Sequence, residues 1–237
     1  MSQKLDIEEI KEKLLEKLEP SGWARVLKGF IDSKDFESII LELAKQSRDG
    51  RRFTPTLKNL FRAFEECPYD ELKVIMLGQD PYPGFGHADG IAFSLSATKD
   101  MQPSLEHIFK EVNRTVYDSN NVCTDKDLTR WANQGILLLN TALTTTVGKV
   151  GQHYLIWRPF IAYLLDWLSW HVPGMVYVYM GKKAQEWSDC VNDNNYKFFV
   201  SHPASASYSS NLNWDSENVF VKVNEIVEKT YGTKITW

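Results

Sequence analysis

Four polar side chains that suit acid–base chemistry and recognition of a flat ring follow apolar runs of this chain. They are the carboxylate of Asp80, the amide of Asn140, the amine of Lys182 and the imidazole of His202. A carboxylate and an imidazole can orient or move protons, whereas an amide both donates and accepts hydrogen bonds. Together, these groups suit recognition of a planar heterocycle and hydrolysis next to it.

The turn at residues 78–84, GQDPYPG, presents two of the candidate side chains on a restricted backbone. Each of its prolines disfavours helical geometry in the residue before it, and those residues are Asp80 and Tyr82. The glycines around the turn permit tight bends and close approach by a ligand. The turn therefore holds a carboxylate and an aromatic ring with little freedom left to lose on binding. An ordinary structural turn explains the segment equally well when it is considered alone.

Each of the other candidates also has an ordinary structural explanation. Asn140 can cap a helix or a turn, Lys182 can be a solvated surface charge, and His202 can be a hydrogen-bonded histidine near a core. What favours a shared site is the position of each residue directly after an apolar run.

The elements that position these residues follow from the apolar runs. Four runs are typical of buried strands, and they cover residues 72–77, 135–140, 174–180 and 196–201. Helical segments separate them, which predicts an α/β fold with three layers, α/β/α, around a central, mainly parallel four-stranded sheet. Because ligands gather outside the carboxyl ends of such strands, we expect the candidate residues to meet at one edge of the sheet.

Apolar residues at helical spacing predict the covering elements. The predicted helices cover residues 5–18, 34–47, 56–66, 104–116, 158–170, 183–191 and 216–230. We expect the whole chain, residues 1–237, to form a single domain whose first part, at about 1–66, is mainly helical.

Composition excludes several classes of protein. No stretch is long and apolar enough to span a bilayer, and the charged start of the chain does not fit a secretory leader, so an intracellular protein is expected. The 3 cysteines show no CxxC spacing, which argues against a zinc site and an iron–sulfur cluster. The net charge of −4 counts mildly against a DNA partner, although local basic groups can still form a basic face.

Several segments in register carry a resemblance to a known family. They are GQDPYPG at 78–84, GIAFS at 90–94, QPSLEHIFKEV at 102–112, QGILLLNTALT at 134–144, and the His-Pro pair at 202–203. Over roughly residues 20–228, the chain resembles family 1 uracil-DNA glycosylases. The resemblance implies a monomeric enzyme without cofactor or metal that cleaves the N-glycosidic bond of uracil in single- or double-stranded DNA and leaves an abasic site. It also implies a cytoplasmic or nuclear location and a possible protein inhibitor that mimics DNA.

The resemblance implies roles for three of the candidates. Asp80 matches the family's catalytic aspartate, which orients or activates water and stabilises positive charge on the deoxyribose. His202 matches the histidine that donates a hydrogen bond to uracil O2 as the base leaves, and a neutral imidazole suffices for this. Asn140 can offer its amide oxygen to uracil N3–H and its amide nitrogen to O4, a pattern that cytosine cannot satisfy.

Three further residues match the family's uracil pocket. Phe93 matches the ring that stacks on the flipped base, and Gln79 resembles a glutamine that contributes orientation. Tyr82 matches the residue whose ring occupies the space that a C5 methyl would need, which excludes thymine. The family usually has histidine after this tyrosine, whereas this chain has Pro83, so a secondary catalytic contact is expected to be missing.

The segment after the His-Pro pair also departs from the family. Its usual sequence is Ser-Pro-Leu-Ser, and the leucine fills the gap that uracil leaves in the duplex. The matching residues here are Ala204, Ser205, Ala206 and Ser207. Ala206 at the leucine position is too small for that role, Ser205 is a candidate phosphate contact, and Tyr208 is the nearest residue large enough to act as a substitute wedge.

Two other residues are expected to contact the DNA backbone. Ser104 lies in the retained proline-rich segment, and Lys182 replaces a neutral residue of the family's phosphate loop with a charge. With a weak wedge, we hypothesise a preference for single-stranded uracil DNA, where less stacking must be broken.

Two alternatives to this function stay open. One is a catalytically weak DNA-binding accessory protein with the same fold, against which the retention of Asp80, Asn140 and His202 argues. The other is a related glycosylase of different base specificity, against which Tyr82 and Asn140 argue.

Overall fold

A parallel sheet forms the centre of the structure, a computed structural model that describes residues 6–96, 100–119, 121–208 and 213–237. Two further strands form a short antiparallel ribbon. The strands are β1 (Phe53–Thr54), β2 (Val74–Gly78), β3 (Ile136–Asn140), β4 (Thr145–Thr146), β5 (Val176–Met180) and β6 (Tyr196–Val200).

Helices surround this sheet, as the alternation of runs predicts. The described residues form nine α-helices, namely α1 (Ile7–Leu18), α2 (Ala24–Ile31), α3 (Lys34–Arg48), α4 (Arg62–Glu66), α5 (Pro103–Thr115), α6 (Thr129–Ala132), α7 (Tyr154–His171), α8 (Lys182–Gln185) and α9 (Val219–Tyr231). Within the described ranges, no helix is long and apolar enough to cross a membrane. The same ranges contain no group of three or more His, Cys, Asp and Glu side chains suited to a metal ion.

The sheet order is β3-β2-β5-β6, and all three strand pairs are parallel. The strands β2 and β5 occupy the middle and are buried along their whole length, which explains their continuous apolar sequences. Since Gly78 pairs with Asn140 in the register of β2 and β3, the residues that follow these strands leave the sheet at the same edge. The predicted α/β fold with a parallel four-stranded sheet is confirmed.

Two predicted helices are interrupted, and two observed helices, α2 and α6, were not predicted. The segment predicted as a helix at 56–66 is a 3-10 turn, Leu57–Asn59, followed by α4, because the backbone of Phe61 leaves helical geometry at φ −111° and ψ 16°. The segment predicted at 183–191 ends as α8 at Gln185 and resumes as a 3-10 turn. The unpredicted helix α2 has no side-chain cap, and burial of most of its residues stabilises it instead.

Candidate active site

A cavity of about 480 Å³ opens at the carboxyl edge of the sheet. Its lining includes all six residues predicted for catalysis or uracil binding and one predicted for DNA binding. These are Gln79, Asp80, Tyr82, Phe93, Asn140 and His202, together with Ser104. The parallel sheet thus brings together side chains that are far apart in the sequence, as its topology predicts.

The end of β2 is shaped to admit two of these side chains. A Cβ atom on Gly78 would lie 2.5 Å from Asn140 Oδ1 and 3.0 Å from Phe93 Cζ, so glycine is needed for their close approach. The Thr141 backbone N–H donates to the Gly78 carbonyl at 3.1 Å, and the Thr141 hydroxyl donates to the Gln79 carbonyl at 2.8 Å. These bonds tie the start of the turn at 78–84 to the end of β3.

Asp80 is held through both oxygens of its carboxylate. The backbone N–H of Gly151 donates to Oδ2 at 2.7 Å, and the Tyr154 hydroxyl donates to Oδ1 at 3.3 Å. Burial raises the pKa of Asp80, whereas these two hydrogen bonds oppose that rise. Because Asp80 lines the cavity, its carboxylate can orient a water molecule or face positive charge there.

The position of Tyr154 depends on the buried histidine before it. His153 Nδ1 lies 2.7 Å from Thr144 Oγ1, and His153 Nε2 lies 2.9 Å from Gln46 Oε1. Burial lowers the pKa of His153 to about 4, so this ring is neutral and acts in packing. It fixes the start of α7, of which Tyr154 is the first residue. Sequence reasoning missed Tyr154 because the predicted helix began later, at 158.

Phe93 adopts a backbone conformation that is rare for a bulky residue. Its φ is +67°, a left-handed value that costs roughly 1–3 kcal/mol when the surroundings impose it. The Tyr82 hydroxyl donates to the Phe93 carbonyl at 3.1 Å, which fixes the two rings relative to each other. Strain of this kind at a cavity wall indicates a position set by function.

A buried aspartate stabilises the loop that carries Phe93. The carboxylate of Asp89 accepts from the Ile91 backbone N–H at 3.1 Å and from the Ser94 hydroxyl at 2.7 Å, and Arg62 forms an ion pair with it at 3.0 Å. This loop anchor was not singled out in the sequence. Its signal there is an Asp-Gly pair just before GIAFS, because an aspartate that accepts from the backbone two residues later is a typical turn device.

His202 is oriented and neutral. Its Nδ1 accepts a hydrogen bond from the Ala204 backbone N–H at 3.2 Å, so the ring proton lies on Nε2. Burial lowers the pKa of His202, which favours the neutral ring. The neighbouring Gly181, at φ +94°, has no side chain, and a Cβ there would lie 2.8 Å from His202 Cβ. The site therefore holds an uncharged imidazole that can donate from Nε2.

The residues predicted to contact DNA divide into four groups. Ser104 lines the cavity, and Lys182 and Ser205 are exposed outside it. The prediction that Ala206 contacts DNA is corrected, because this residue is only 3% exposed. The 3-10 turn over 203–208 packs on α5 and buries the Ala206 methyl group. Tyr208 ends this turn, and its side chain lies outside the described part of the structure.

The arrangement provides four chemical functions at one cavity. A buried carboxylate can position water, a neutral imidazole can donate to a developing anion, an amide can read a donor–acceptor edge, and an aromatic ring can stack on a planar ligand. The residues that supply them are Asp80, His202, Asn140 and Phe93. The rings of Phe93 and His202 lie 6.1 Å apart between centroids, so stacking by Phe93 and donation by the imidazole can act on one small ligand.

Comparison with known proteins identifies the family. The model of the Uracil DNA glycosylase superfamily matches residues 64–228. A uracil-DNA glycosylase of Amoebophilus asiaticus is 33% identical over 218 residues, which cover 91% of this chain and 97% of that protein. One from Coxiella burnetii is 32% identical over 221 residues, which cover 92% and 95% of the two chains.

Solved structures agree with the sequence comparison. The crystal structure of mimivirus uracil-DNA glycosylase matches with a TM-score of 0.81 at 26% identity, covering 94% of this chain and 88% of that one. A variant of mimivirus UNG in complex with UGI matches with a TM-score of 0.81 at 25% identity, covering 91% and 87%. With the family model and these relatives matching most of its length, the chain belongs to the uracil-DNA glycosylase superfamily.

Proposed function

We propose that this protein hydrolyses the N-glycosidic bond of uracil in DNA, releasing free uracil and leaving an abasic site for repair. The observation that carries this function is that Asp80, Asn140 and His202 line one cavity beside the ring of Phe93. A DNA-binding scaffold has no physical need for a buried carboxylate, an amide and a neutral imidazole around the same small space. Membership of the family supports the same reaction.

The reaction begins when the target nucleotide turns out of the base stack and uracil enters the cavity. Phe93 stacks on the base, and Asn140 pairs with its N3–H and O4. Tyr82, whose hydroxyl is bonded to the Phe93 carbonyl, presents its ring where a thymine methyl would lie. Uracil is therefore selected by hydrogen bonding and by the steric exclusion of a methyl group.

Bond cleavage places opposite charges on the two products. The bond between deoxyribose C1′ and uracil N1 breaks, and its electron pair leaves with the base. The Nε2–H of His202 donates to uracil O2 as negative charge builds there, while the carboxylate of Asp80 stabilises positive charge on the sugar. Asp80 also orients the water that attacks C1′. As the water oxygen bonds to C1′ the water loses one proton, and the departing uracil anion takes up one proton, so both products are neutral. Gln79 contributes to the orientation of the base.

The direct test is release of uracil from a single-stranded oligonucleotide that contains one uracil. The wild type should release it, and Asp80→Asn should lose about 10²-fold or more of the rate because the variant has no charge at the sugar. DNA binding by Asp80→Asn, measured by anisotropy, controls for folding. DNA binding without uracil release by the wild type would favour an accessory protein instead, and release of thymine or cytosine would favour a different base specificity.

We further propose that single-stranded uracil DNA is the preferred substrate. Among residues 203–207, the exposed side chains are the serines at 205 and 207, neither of which can fill the space left by a flipped base. A substrate without a complementary strand requires less unstacking. Rates on matched single- and double-stranded oligonucleotides test this, and a strong preference for the duplex would contradict it.

We also propose that a protein inhibitor that mimics DNA can occupy the same face. One structural neighbour, the mimivirus UNG variant, was crystallised with UGI, which supports a protein partner for this fold. An excess of such an inhibitor should stop uracil release, and an unchanged rate would contradict this proposal. The monomeric state and the intracellular location stay predictions.

A further inference from the structure

An exposed aromatic ring and a cation lie next to the candidate active site, and the steps described above use neither. Phe85 is 69% exposed, and the guanidinium carbon of Arg52 lies 5.7 Å from the centroid of its ring. In the chain, Phe85 lies between Pro83 and Ala88, both of which line the cavity. An apolar ring left in water beside a binding site is a feature expected of a contact surface for a ligand.

Backbone hydrogen bonds fix the segments that carry this pair. The Val147 N–H donates to the Arg52 carbonyl at 2.9 Å, and the Gly148 N–H donates to the Pro83 carbonyl at 2.9 Å. The segment at 147–148 therefore joins the chain at Arg52 to the catalytic turn, from which Phe85 follows. Because the same turn carries Asp80, the ring and the cation hold a defined position relative to the reacting sugar.

The residues that follow Gly148 add a second exposed cation and an exposed apolar side chain to this part of the surface. Arg52 and Lys149 are exposed, and neither forms an ion pair with any residue that the structure describes. Val150, which follows Lys149, is 56% exposed and lines the cavity. An aromatic ring with cations beside it is the combination by which proteins bind single-stranded nucleic acid, since bases stack on the ring and phosphates pair with the cations.

We propose that Phe85 and Arg52 form a stacking platform for the base of a nucleotide adjacent to the flipped uridine. This inference rests on the proposed function. Turning uracil out of the strand leaves its neighbours without one stacking partner, and the Phe85 ring offers a replacement surface. The guanidinium of Arg52 lies over that ring and pairs with a phosphate of the same strand. The platform thereby compensates for the missing leucine wedge by binding the strand outside the uracil pocket.

The test asks whether the Phe85 ring stacks on one particular base of the substrate. Single-stranded substrates with one uracil are prepared in which each neighbouring base, one at a time, is replaced by a base-free spacer. Loss of the stacked base should raise the wild-type KM by roughly five- to 150-fold, because stacking contributes on the order of 1–3 kcal/mol per base. Phe85→Ala should raise KM by a similar factor on the intact strand and should show no further loss with the spacer, while kcat stays within about twofold.

Matched variants separate stacking from general effects. Phe85→Trp keeps an aromatic face and should retain the wild-type KM, and Arg52→Gln should reduce the dependence of binding on salt by about one phosphate contact. The control is Trp170→Ala, because Trp170 is 65% exposed and lies near the opposite end of α7 from Tyr154. The platform is wrong if Phe85→Ala has the same KM as this control. It is also wrong if every spacer raises the KM of Phe85→Ala as much as that of the wild type.

The proposal can fail separately from the proposed function. If the wild type releases no uracil, the function fails, and the platform is then tested by the anisotropy of the same labelled strands with the wild type and with Phe85→Ala. If uracil is released normally and each base-free spacer changes the KM of Phe85→Ala as much as that of the wild type, the function stands and the platform is wrong.

Discussion

At the scale of single residues, Asp80 combines a buried charge with hydrogen bonds that stabilise it. Burial raises its pKa, and the donors Gly151 N–H and Tyr154 O–H counteract part of that rise. The carboxylate must be ionised to stabilise a cationic sugar, so activity is lost as the pH falls through its pKa. Because this pKa is raised, the loss begins at a higher pH than for an exposed aspartate. Burial lowers the pKa of His202, which favours the neutral form of its ring.

The variant Tyr154→Phe should narrow the active pH range. Without the hydroxyl, one hydrogen bond to the ionised form of Asp80 is lost, its pKa rises further, and the acid limb of kcat/KM moves to higher pH. The value of kcat on the plateau should fall by about tenfold, as expected for one hydrogen bond to a charged group.

The same helix provides the control for this variant. Tyr163→Phe removes a hydroxyl that donates at 2.8 Å to the Val26 carbonyl, a contact between α7 and α2. That change should leave the pH profile unaltered. An unchanged acid limb in Tyr154→Phe would show that its hydroxyl does not act on Asp80. The Tyr154 contact could not be predicted from the sequence because it joins residues 74 positions apart and depends on where α7 begins.

At the scale of elements, the end of β2 determines the shape of the cavity. The register of β2 and β3 sets Gly78 opposite Asn140, and the missing side chain admits both the Asn140 amide and the Phe93 ring. The strand β2 thus leaves space for the Asn140 and Phe93 side chains and also sets the position of the turn that follows it.

Gly78→Ala should damage recognition more than folding. The added methyl would displace the Asn140 amide or the Phe93 ring, and a displacement of about 1 Å can cost on the order of 10²-fold in kcat/KM. We expect such a loss with a small change in Tm. The control is Gly29→Ala in α2, whose Cβ would lie 3.1 Å from the hydroxyl oxygen of Tyr163. Equal activities of the two variants would contradict this account of the pocket.

The elements that the sequence predicts well are those with a long, uniform environment. The strands β2 and β5 are buried on both faces, so their apolar runs are continuous and easily recognised. The ribbon of β1 and β4 was not predicted, since two-residue strands carry no measurable period. Its consequence is functional, because the residues flanking it, Arg52 and Val147, join the chain beside the catalytic turn.

At the scale of the whole molecule, the two edges of the sheet have separate roles. The carboxyl edge carries the cavity, whereas residues near the amino ends of the strands contact the segment at 235–237. There the Gln134 amide, just before β3, donates to the Thr236 carbonyl at 2.9 Å and accepts from its N–H at 2.8 Å. The Tyr117 hydroxyl donates to the Trp237 carbonyl at 2.8 Å. A change at this amino edge should therefore alter stability without altering the cavity.

Trp237→Ala tests this separation. The Trp237 ring is 1% exposed and lies 5.2 Å from the Trp131 ring and 5.0 Å from the Phe220 ring, centroid to centroid. Its loss should reduce the free energy of unfolding by about 3–5 kcal/mol and lower Tm by roughly ten degrees. The exposed Trp170, replaced by alanine, should change Tm by no more than about a degree. Below the transition, kcat/KM of Trp237→Ala should match the wild type, because neither Trp131 nor Phe220, the rings beside it, lines the cavity. A fall in kcat/KM with an unchanged Tm would show that the two edges are coupled.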